Sequence, residues 1–320
     1  MSNTKPKIAC NFVPSHIIEA REILSDFFDI DYVDWNHEQI IENIGKYNAF
    51  LSSVNIIFDK EAFESARNLK VLATPSTGRD HLDLKEAEAR GVAVLSLKNE
   101  IDYLRKITST AEQALNLMLS CMRMLPSAFD AVKQGVWNSA SFRGHSVSGK
   151  ILGIIGFGRL GSMMARYGHA LWMNVIATDT YKKIDVDYVE QVTYDELLQR
   201  ADVISIHVHL NDETRGLLGR QEFEKMKDGV VIVNTSRGAV IDEAVLVEML
   251  ELGKVGGAGL DVLATELYDN VANLPIVKYA REHQNVVISP HIGGVTYESQ
   301  ELAYKKIAIM LREWFEKNSN

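Results

Sequence analysis

An apolar strand, a glycine-rich turn and a helix begin at Lys150, and they constrain the fold of this 320-residue chain more than any other segment. The segment reads KILGIIGFGRLGSMMARYG, so Gly156, Gly158 and Gly161 form the spacing G-x-G-x-x-G directly after the strand. This spacing permits a tight turn and the close approach of a pyrophosphate to the N-terminus of the next helix. The segment therefore predicts a dinucleotide site, and the residues before it need a separate explanation.

An acidic residue follows this turn at the expected distance. The next apolar stretch, VIATD, ends in Asp179, 18 residues after Gly161. A carboxylate in that position accepts hydrogen bonds from the adenosine ribose and repels a 2′-phosphate. The sequence thus predicts NAD rather than NADP, although Lys182 and Lys183 nearby weaken the preference. A glycine-rich turn without a ligand is the alternative, which the combination of turn, acid and strand order disfavours.

Two successive alternations of strand and helix divide the chain. In the first hundred residues helix-like stretches separate five strand candidates, which are KIACNF, IDYVDW, AFLSSVN, LKVLATPS and VAVLSL. Helices also separate most of the six later candidates, which are KILGIIG, NVIATD, ADVISIHV, GVVIVNTS, GAGLDV and NVVISP. The pattern predicts an α/β protein with two parallel-sheet domains, Rossmann-like or flavodoxin-like, of which the second is doubly wound.

A long helical region is predicted between these two alternations, from about Tyr103 to Gly135. Its centre, AEQALNLMLSCMRML, is apolar on nearly every face. Such a helix must be buried, and the sequence leaves open whether it lies in a core or against another subunit.

The composition argues against several classes of protein. The net charge is −9, whereas a nucleic-acid binder would usually present a basic face. No apolar run approaches the roughly 18 residues of a membrane span, and the N-terminal segment lacks the apolar core of a signal peptide. The two cysteines, Cys10 and Cys121, fit no metal or disulfide spacing, so we expect a reducing compartment, the cytoplasm.

Three polar side chains follow predicted strands, at the sheet edge where open α/β sheets bind their ligands. Arg237 lies in VNTSRGAVID, Glu266 in GLDVLATE and His291 in ISPHIGG. An arginine can bind a carboxylate bidentately, and an imidazole can both donate and accept a proton near neutral pH. A carboxylate beside the imidazole stabilises the imidazolium. Taken singly, each residue could also be a surface cation, a solvated acid or a loop histidine.

Together the segments resemble the D-isomer-specific 2-hydroxyacid dehydrogenase family, most closely its D-3-phosphoglycerate dehydrogenase-like branch. The resemblance covers nearly the whole chain and rests on STGRDHLDL, STAEQALNLML, GKILGIIGFGRLG, HVHLNDETRGLL, VNTSRGAVIDEAVL, GLDV and SPHIGG. It implies an NAD-dependent oxidoreductase that interconverts a 2-oxo acid and a D-2-hydroxy acid. Two alternatives are an NAD-sensing scaffold of the corepressor type and a relative that oxidises another small anion, such as formate or phosphite.

The resemblance implies roles for individual residues. Arg237 would bind the substrate carboxylate, His291 would be the acid–base, and Glu266 would hold the orientation of His291. The residues implied for the cofactor are Gly156, Gly158, Arg159, Leu160, Gly161, Asp179, Thr110, His207, Thr235, Ser236, Asp261, Gly293 and Gly294. Those implied for the substrate, besides Arg237, are Ser76, Thr77, Gly78 and Arg79. No metal is expected, because the pair His207 and His209 has no evident third ligand nearby.

The family's architecture implies a discontinuous substrate-binding domain, residues 1–100 with 290–320, and an NAD-binding domain, residues 101–289. It also implies a homodimer, for which the apolar helix around Ala111–Leu125 is the expected contact. Because the chain ends after its terminal helix, serine feedback through an added C-terminal domain is not expected.

The substrate is expected to carry a second anionic or strongly polar group. Arg79 follows STG directly, and Lys98 follows the strand VAVLSL. Unpaired cations in a closing site would be costly beside an apolar substrate tail. The alternatives are that both side chains point to solvent, or that Arg79 pairs with Asp80 or Asp83.

Overall fold

The structure is a computed structural model that describes residues 5–11, 15–267 and 270–318. It divides into two compact units: unit 1 comprises Met1–Ile107 with Val295–Asn320, and unit 2 comprises Thr108–Gly294. Each unit contains one wholly parallel sheet, so the predicted α/β fold with two parallel-sheet domains is confirmed. The unit boundaries lie a few residues after the predicted ones.

As far as its residues are described, unit 1 begins with five strands and five α-helices. In chain order they are β1 (Lys7–Asn11), α1 (Ile18–Phe27), β2 (Asp29–Val33), α2 (His37–Asn43), β3 (Ala49–Leu51), α3 (Lys60–Ser65), β4 (Val71–Thr74), α4 (Leu84–Ala89), β5 (Ala93–Ser96) and α5 (Ile101–Leu104). The sheet order β2-β1-β3-β4-β5 is that of flavodoxin-like folds. All five predicted strands are present, although Phe12, at the end of the first, lies outside the described residues.

The described residues of unit 2 form seven strands and seven α-helices. They are α6 (Ser109–Arg123), α7 (Leu125–Lys133), β6 (Ile151–Ile155), α8 (Arg159–Ala170), β7 (Asn174–Thr178), β8 (Val189–Gln191), α9 (Tyr194–Arg200), β9 (Val203–Ile206), α10 (Arg220–Lys225), β10 (Val230–Asn234), α11 (Glu243–Glu251), β11 (Val255–Leu260), α12 (Pro275–Glu282) and β12 (Val286–Ile288). The sheet order is β12-β11-β10-β9-β6-β7-β8, so the winding reverses at β6, directly before the glycine turn. The six predicted strands are present, whereas the short edge strand β8 was not predicted.

The last helix, α13 (Tyr297–Asn318), returns the chain to unit 1. Its buried residues Tyr304, Ile307, Leu311 and Phe315 join the core beneath α1 and the sheet. Residues 101–107 belong to the same unit, because Leu104 and Ile107 are buried in that core. The first unit boundary therefore lies after Ile107, whereas the predicted domain boundary lies after residue 100.

The expected long helix from Tyr103 to Gly135 is broken into α5, α6 and α7. Met124 separates α6 from α7 with a left-handed backbone, φ 52°. Pro126, at the start of α7, has no N–H to donate to the carbonyl of Met122, which instead accepts a hydrogen bond from His145 at 2.7 Å. A proline in this position therefore ends the first helix.

Helix α6 is buried inside unit 2 itself. Ala114, Leu117 and Met118 are buried in a core cluster shared with β6 and α8, so a second subunit is not needed to cover them. Among residues 108–137, the exposed large apolar side chains lie instead on α7 and just beyond it. No helix in the described part of the chain is both long enough and apolar enough to span a bilayer.

Candidate active site

The turn between β6 and α8 has the shape that a pyrophosphate requires. Gly156 has φ +89°, and a Cβ there would lie 2.7 Å from the carbonyl oxygen of His207. A Cβ on Gly161 would overlap the carbonyl oxygen of Gly156. At Gly158, by contrast, a Cβ would meet no atom within 4 Å. Two glycines therefore close the turn tightly, and the third leaves open space at the helix N-terminus, which fits a dinucleotide.

Asp179 connects this turn to the end of β7. Its Oδ2 accepts a hydrogen bond from the backbone N–H of Phe157 at 2.8 Å. Its Oδ1 accepts from the N–H groups of Tyr181 at 2.9 Å and Lys182 at 3.0 Å. A carboxylate offers about four acceptor positions, so one remains for a ribose hydroxyl. Asp179 thus also braces the glycine turn, a role that the spacing argument did not anticipate.

Arg159 and Leu160 begin α8 and are both half-buried. Burial lowers the pKa of the Arg159 guanidinium below its ordinary value. A partly desolvated cation at a helix N-terminus is stabilised by an anion, which again fits a phosphate.

Two polar atoms at the ends of neighbouring strands are buried and have no hydrogen-bond partner among the described residues. They are Nδ1 of His207, after β9, and Oγ1 of Thr235, after β10. Nε2 of His207 lies 2.8 Å from Oγ of Ser205, and burial lowers the pKa of His207 to about 4. The imidazole is therefore neutral at neutral pH. Unsatisfied buried polar atoms are costly, so both fit a polar ligand at this edge of the sheet.

Asn234 shapes the segment that carries Arg237. Its Oδ1 accepts hydrogen bonds from the backbone N–H of Ser236 at 2.9 Å and from the Ser236 hydroxyl at 2.7 Å. Its Nδ2 donates to the carbonyl of Arg237 at 2.9 Å. The half-buried Arg237 donates from Nη1 to the Ser236 carbonyl at 2.8 Å. The sequence analysis quoted Asn234 only as part of a motif and missed this role.

His291 and Glu266 form a close pair. Nδ1 of His291 lies 2.5 Å from Oε1 of Glu266, and Oε2 of Glu266 accepts from the N–H of Leu263 at 2.7 Å. This contact makes Nδ1 the protonated ring nitrogen that faces the carboxylate. Nε2 makes no hydrogen bond with any described residue and is available to a substrate. The backbone of His291 is left-handed, φ 54°, an uncommon conformation that the surrounding structure must hold.

Asp261 holds the loop of His291. It is buried, and its Oδ1 accepts from the Ser289 hydroxyl at 2.6 Å and the Ile292 N–H at 2.9 Å. Its Oδ2 accepts from the Gly293 N–H at 2.7 Å, and the Ser289 hydroxyl also accepts from Nε2 of Gln113 at 2.9 Å. Residues 291–294 accordingly belong to unit 2. Ser289 and Gln113 carried no signal that separated them from ordinary loop and helix residues.

The remaining cofactor candidates lie around this loop. Thr110, near the start of α6, has its Cγ2 3.2 Å from the position that a Cβ on Gly293 would take. A Cβ on Gly294 would meet no atom within 4 Å, so this backbone is open to a ligand.

The STG segment of unit 1 follows β4. The hydroxyl of Ser76 donates to the carbonyl of Gly78 at 2.5 Å, so Ser76 shapes the loop from within. Its carbonyl accepts from the N–H of Leu97 at 2.9 Å, which brings the segment beside the end of β5. Arg79 is half-buried and forms no ion pair with a described residue, including Asp80 and Asp83, the two acids suggested as its partners. Asp83 instead caps α4.

Within the described ranges, no three His, Cys, Asp or Glu side chains are grouped as a metal site would require. His207, of the His-x-His pair, is engaged with Ser205.

Comparison with known proteins gives consistent matches. Residues 115–293 match the sequence model described as "D-isomer specific 2-hydroxyacid dehydrogenase, NAD binding domain". A D-3-phosphoglycerate dehydrogenase of Archaeoglobus fulgidus is 38% identical over 270 residues, which cover 83% of this chain and 49% of that protein. A glyoxylate reductase of Thermococcus litoralis is 32% identical over 314 residues, 93% of this chain and 90% of that protein.

A solved structure extends the match to both units. The crystal structure of D-lactate dehydrogenase from Aquifex aeolicus, complexed with NAD and lactic acid, has a TM-score of 0.85 at 28% identity, covering 97% of this chain and 96% of that one. The chain spans about half the length of the D-3-phosphoglycerate dehydrogenases that it matches. Because the family's NAD-binding domain covers more than half of it and the glyoxylate reductase matches nearly all of it, this chain belongs to the D-isomer specific 2-hydroxyacid dehydrogenase family.

Proposed function

We propose that the protein is an NAD-dependent oxidoreductase that interconverts a 2-oxo acid and a D-2-hydroxy acid. The observation that carries this proposal is the contact of 2.5 Å between Nδ1 of His291 and Oε1 of Glu266, with Nε2 left available. Reduction of a carbonyl requires a proton at its oxygen as hydride reaches its carbon. A histidine paired with a carboxylate can supply that proton and recover it in the reverse direction.

The chemistry divides among a few groups. NAD, when bound, supplies the hydride acceptor or donor. His291 donates its Nε2 proton to the carbonyl oxygen during reduction, and Glu266 stabilises the imidazolium through Nδ1. Arg237 binds the substrate carboxylate through its planar guanidinium and polarises the carbonyl.

The cofactor is proposed to bind along the carboxyl edge of the unit 2 sheet. Its pyrophosphate would meet the N–H groups around Gly158 and the guanidinium of Arg159, and its ribose would meet Asp179. Nδ1 of His207 and Oγ1 of Thr235, which have no hydrogen-bond partner in the described part of the chain, support a polar contact nearer the nicotinamide. Asp179 and the charge it presents support NAD rather than NADP.

Unit 1 is proposed to bind the substrate and unit 2 to bind NAD, in the places of the predicted substrate-binding domain, residues 1–100 with 290–320, and the predicted NAD-binding domain, residues 101–289. The backbone N–H groups of Thr77 and Gly78 would hold a substrate carboxylate. The half-buried Arg79, without an ion-pair partner among the described residues, supports a second anionic group on the substrate. Lys98 is exposed after β5, as the alternative of a solvent-facing side chain predicts.

A comparison of matched 2-oxo acids with anionic and alkyl tails tests this substrate proposal. The ratio of kcat/KM should favour the anionic tail in the wild type and fall in Arg79→Ala. A wild type that prefers alkyl tails, or an unchanged ratio in the variant, would remove Arg79 from specificity.

We also propose a homodimer through unit 2. Leu125, Phe129 and Val132 recur on one face of α7, and Phe129 is 62% exposed. Trp137, just beyond the helix, is 90% exposed. Contiguous exposed apolar side chains of this kind favour a protein contact. The contact proposed is therefore α7 and the residues after it, rather than the buried part of Ala111–Leu125.

The cytoplasm is the proposed compartment, since Cys10 and Cys121 are both free and buried. Fractionation of cells that express the protein at natural level tests this: recovery outside the cytoplasm would contradict it.

The function is tested by following NADH absorbance with a panel of 2-oxo acids. His291→Ala should lose roughly 10²–10⁴ in kcat because it removes proton transfer, with NADH affinity retained. Arg237→Ala should in addition raise the KM of the oxo acid. Tight NADH binding without turnover of any 2-oxo acid would favour an NAD-sensing scaffold of the corepressor type. Turnover of formate or phosphite instead would favour a relative that oxidises another small anion.

A further inference from the structure

We propose that Glu243 is a positioning residue for the Glu266–His291 pair, an inference that rests on the function proposed above. Glu243 is the first residue of α11, and its half-buried side chain turns toward the loop after β11. There its Oε1 accepts a hydrogen bond from the backbone N–H of Ala264 at 2.5 Å. Ala264 lies two residues before Glu266, in the segment from which Glu266 reaches His291.

Two carboxylates hold successive N–H groups of this segment. Glu266 accepts from the N–H of Leu263 at 2.7 Å, and Glu243 accepts from that of Ala264. Gly238, which follows Arg237, packs directly against the same peptide: a Cβ there would overlap the carbonyl carbon of Leu263. The segment is therefore held by Glu266, which belongs to it, by Glu243 and by the backbone of the loop that carries Arg237.

A role in starting α11 does not explain Glu243. Asp242 already caps this helix by accepting from the N–H of Val245 at 3.2 Å. Burial, and then the negative charge of Glu266, raise the pKa of the Glu243 carboxyl, while the hydrogen bond from Ala264 lowers it. The half-buried carboxylate of Glu243 beside Glu266 therefore costs folding free energy, which the hydrogen bond from the N–H of Ala264 offsets.

The consequence for catalysis is geometric. Without the Ala264 contact, the segment can move, and Glu266 no longer holds the imidazole of His291 in one orientation. A displacement of about 1 Å at a reacting group can cost about 10²-fold in rate. The cofactor candidates around the glycine turn lie on other loops, so NADH binding should be retained.

Three variants of Glu243 test the proposal. Glu243→Ala removes the acceptor and should lower kcat by roughly 10–100-fold, with the Kd of NADH unchanged. Glu243→Gln keeps an oxygen that can accept from Ala264 and should recover most of kcat. Should Glu243→Ala fail to fold, Glu243→Asp keeps the charge but is one methylene too short, and should lose kcat similarly.

Glu196→Ala is the matched control. Glu196 is also an acid in the first turn of a helix, and it accepts from the backbone N–H of Thr193 at 2.8 Å. Its loss removes a comparable hydrogen bond in a different part of unit 2, and kcat should be unaffected.

Hydrogen exchange provides a readout that does not depend on activity. Peptides that contain Leu263 and Ala264 should exchange faster in Glu243→Ala, but not in Glu243→Gln or Glu196→Ala. Unchanged exchange and kcat in Glu243→Ala would overturn the proposal, as would an equal loss of kcat in the Gln and Ala variants. If the wild type reduces no 2-oxo acid while exchange responds as expected, the function proposed for the chain fails instead.

Discussion

Alanine substitutions at two glycines of the turn after β6 should separate folding from cofactor binding. Gly156 has φ +89°, and a Cβ there would lie 2.7 Å from the carbonyl oxygen of His207 and 2.8 Å from Cγ1 of Val208. The left-handed backbone costs an alanine about 1–2 kcal/mol, and overpacking a close contact costs about 1–3 kcal/mol. Gly156→Ala should therefore lower the free energy of unfolding of unit 2 by about 2–5 kcal/mol.

Gly158→Ala is the matched variant in the same turn. Gly158 has φ −78°, which alanine tolerates, and a Cβ there would meet no atom within 4 Å. Its stability should change by no more than about 0.5 kcal/mol. The methyl group would nevertheless occupy the space proposed for the pyrophosphate. Loss of one hydrogen bond to a charged group costs about 1.5–3 kcal/mol, so the Kd of NADH should rise roughly 10–150-fold.

Thermal unfolding without cofactor, followed by circular dichroism, measures the first effect, and NADH fluorescence titration measures the second. The two variants should show opposite patterns. Gly156→Ala should lower Tm, whereas Gly158→Ala should keep the Tm of the wild type and bind NADH more weakly. If Gly158→Ala bound NADH as the wild type does, the turn would not be the pyrophosphate site. If Gly156→Ala kept the Tm of the wild type, the close contact with His207 would be wrong.

Three further predictions concern other parts of the chain. Asp179→Asn should raise the NADPH/NADH ratio of kcat/KM because the charge that repels a 2′-phosphate is lost. It should lower Tm less than Asp179→Ala, which also loses the hydrogen bond to the glycine turn. An unchanged ratio would contradict the proposed contact of Asp179 with the ribose. Burial lowers the pKa of His207 from 6.5 to about 4. As the pH falls, the unfolded chain therefore binds a proton at this histidine before the folded chain does. The contribution of His207 to the free energy of unfolding is present above pH 6.5 and is lost as the pH falls toward 4. This loss amounts to about 3 kcal/mol. Urea unfolding at pH 7 and at pH 4.5 should show that the free energy of unfolding of His207→Asn depends less on pH than that of the wild type. Equal pH dependence would count against a buried neutral imidazole. Phe129→Glu should convert a dimer into monomers in sedimentation at micromolar concentration, and a monomeric wild type would refute the proposed contact.

Much of the site could be predicted because its parts are local in sequence. The glycine turn and Asp179 are separated by one helix and one strand, so spacing alone relates them. Arg237 and His291 each follow a strand of one parallel sheet, and the carboxyl ends of such strands meet at one edge. The helix break at Met124 was also readable from Pro126, but the apolar run around it dominated the prediction.

The groups that hold the site could not be predicted in this way. Asp261 was predicted only as a cofactor residue, and the structure adds that its carboxylate accepts hydrogen bonds from Ser289, Ile292 and Gly293. Its bonding depends on how closely the loops after β11 and β12 approach each other. Spacing along the chain carries no information about that approach.

By itself, the sequence determined the family, the two parallel sheets and the glycine turn, and it singled out the side chains proposed to react, because periodicity and short motifs encode local conformation. Only the tertiary structure decided that α6 belongs to a core, that β8 adds an edge strand, and that Glu243 and Asp261 brace the loops of Glu266 and His291. Each of these results depends on hydrogen bonds and packing between segments that are distant in sequence. Such contacts form only when strand order and loop approach are fixed together, and no local pattern records them.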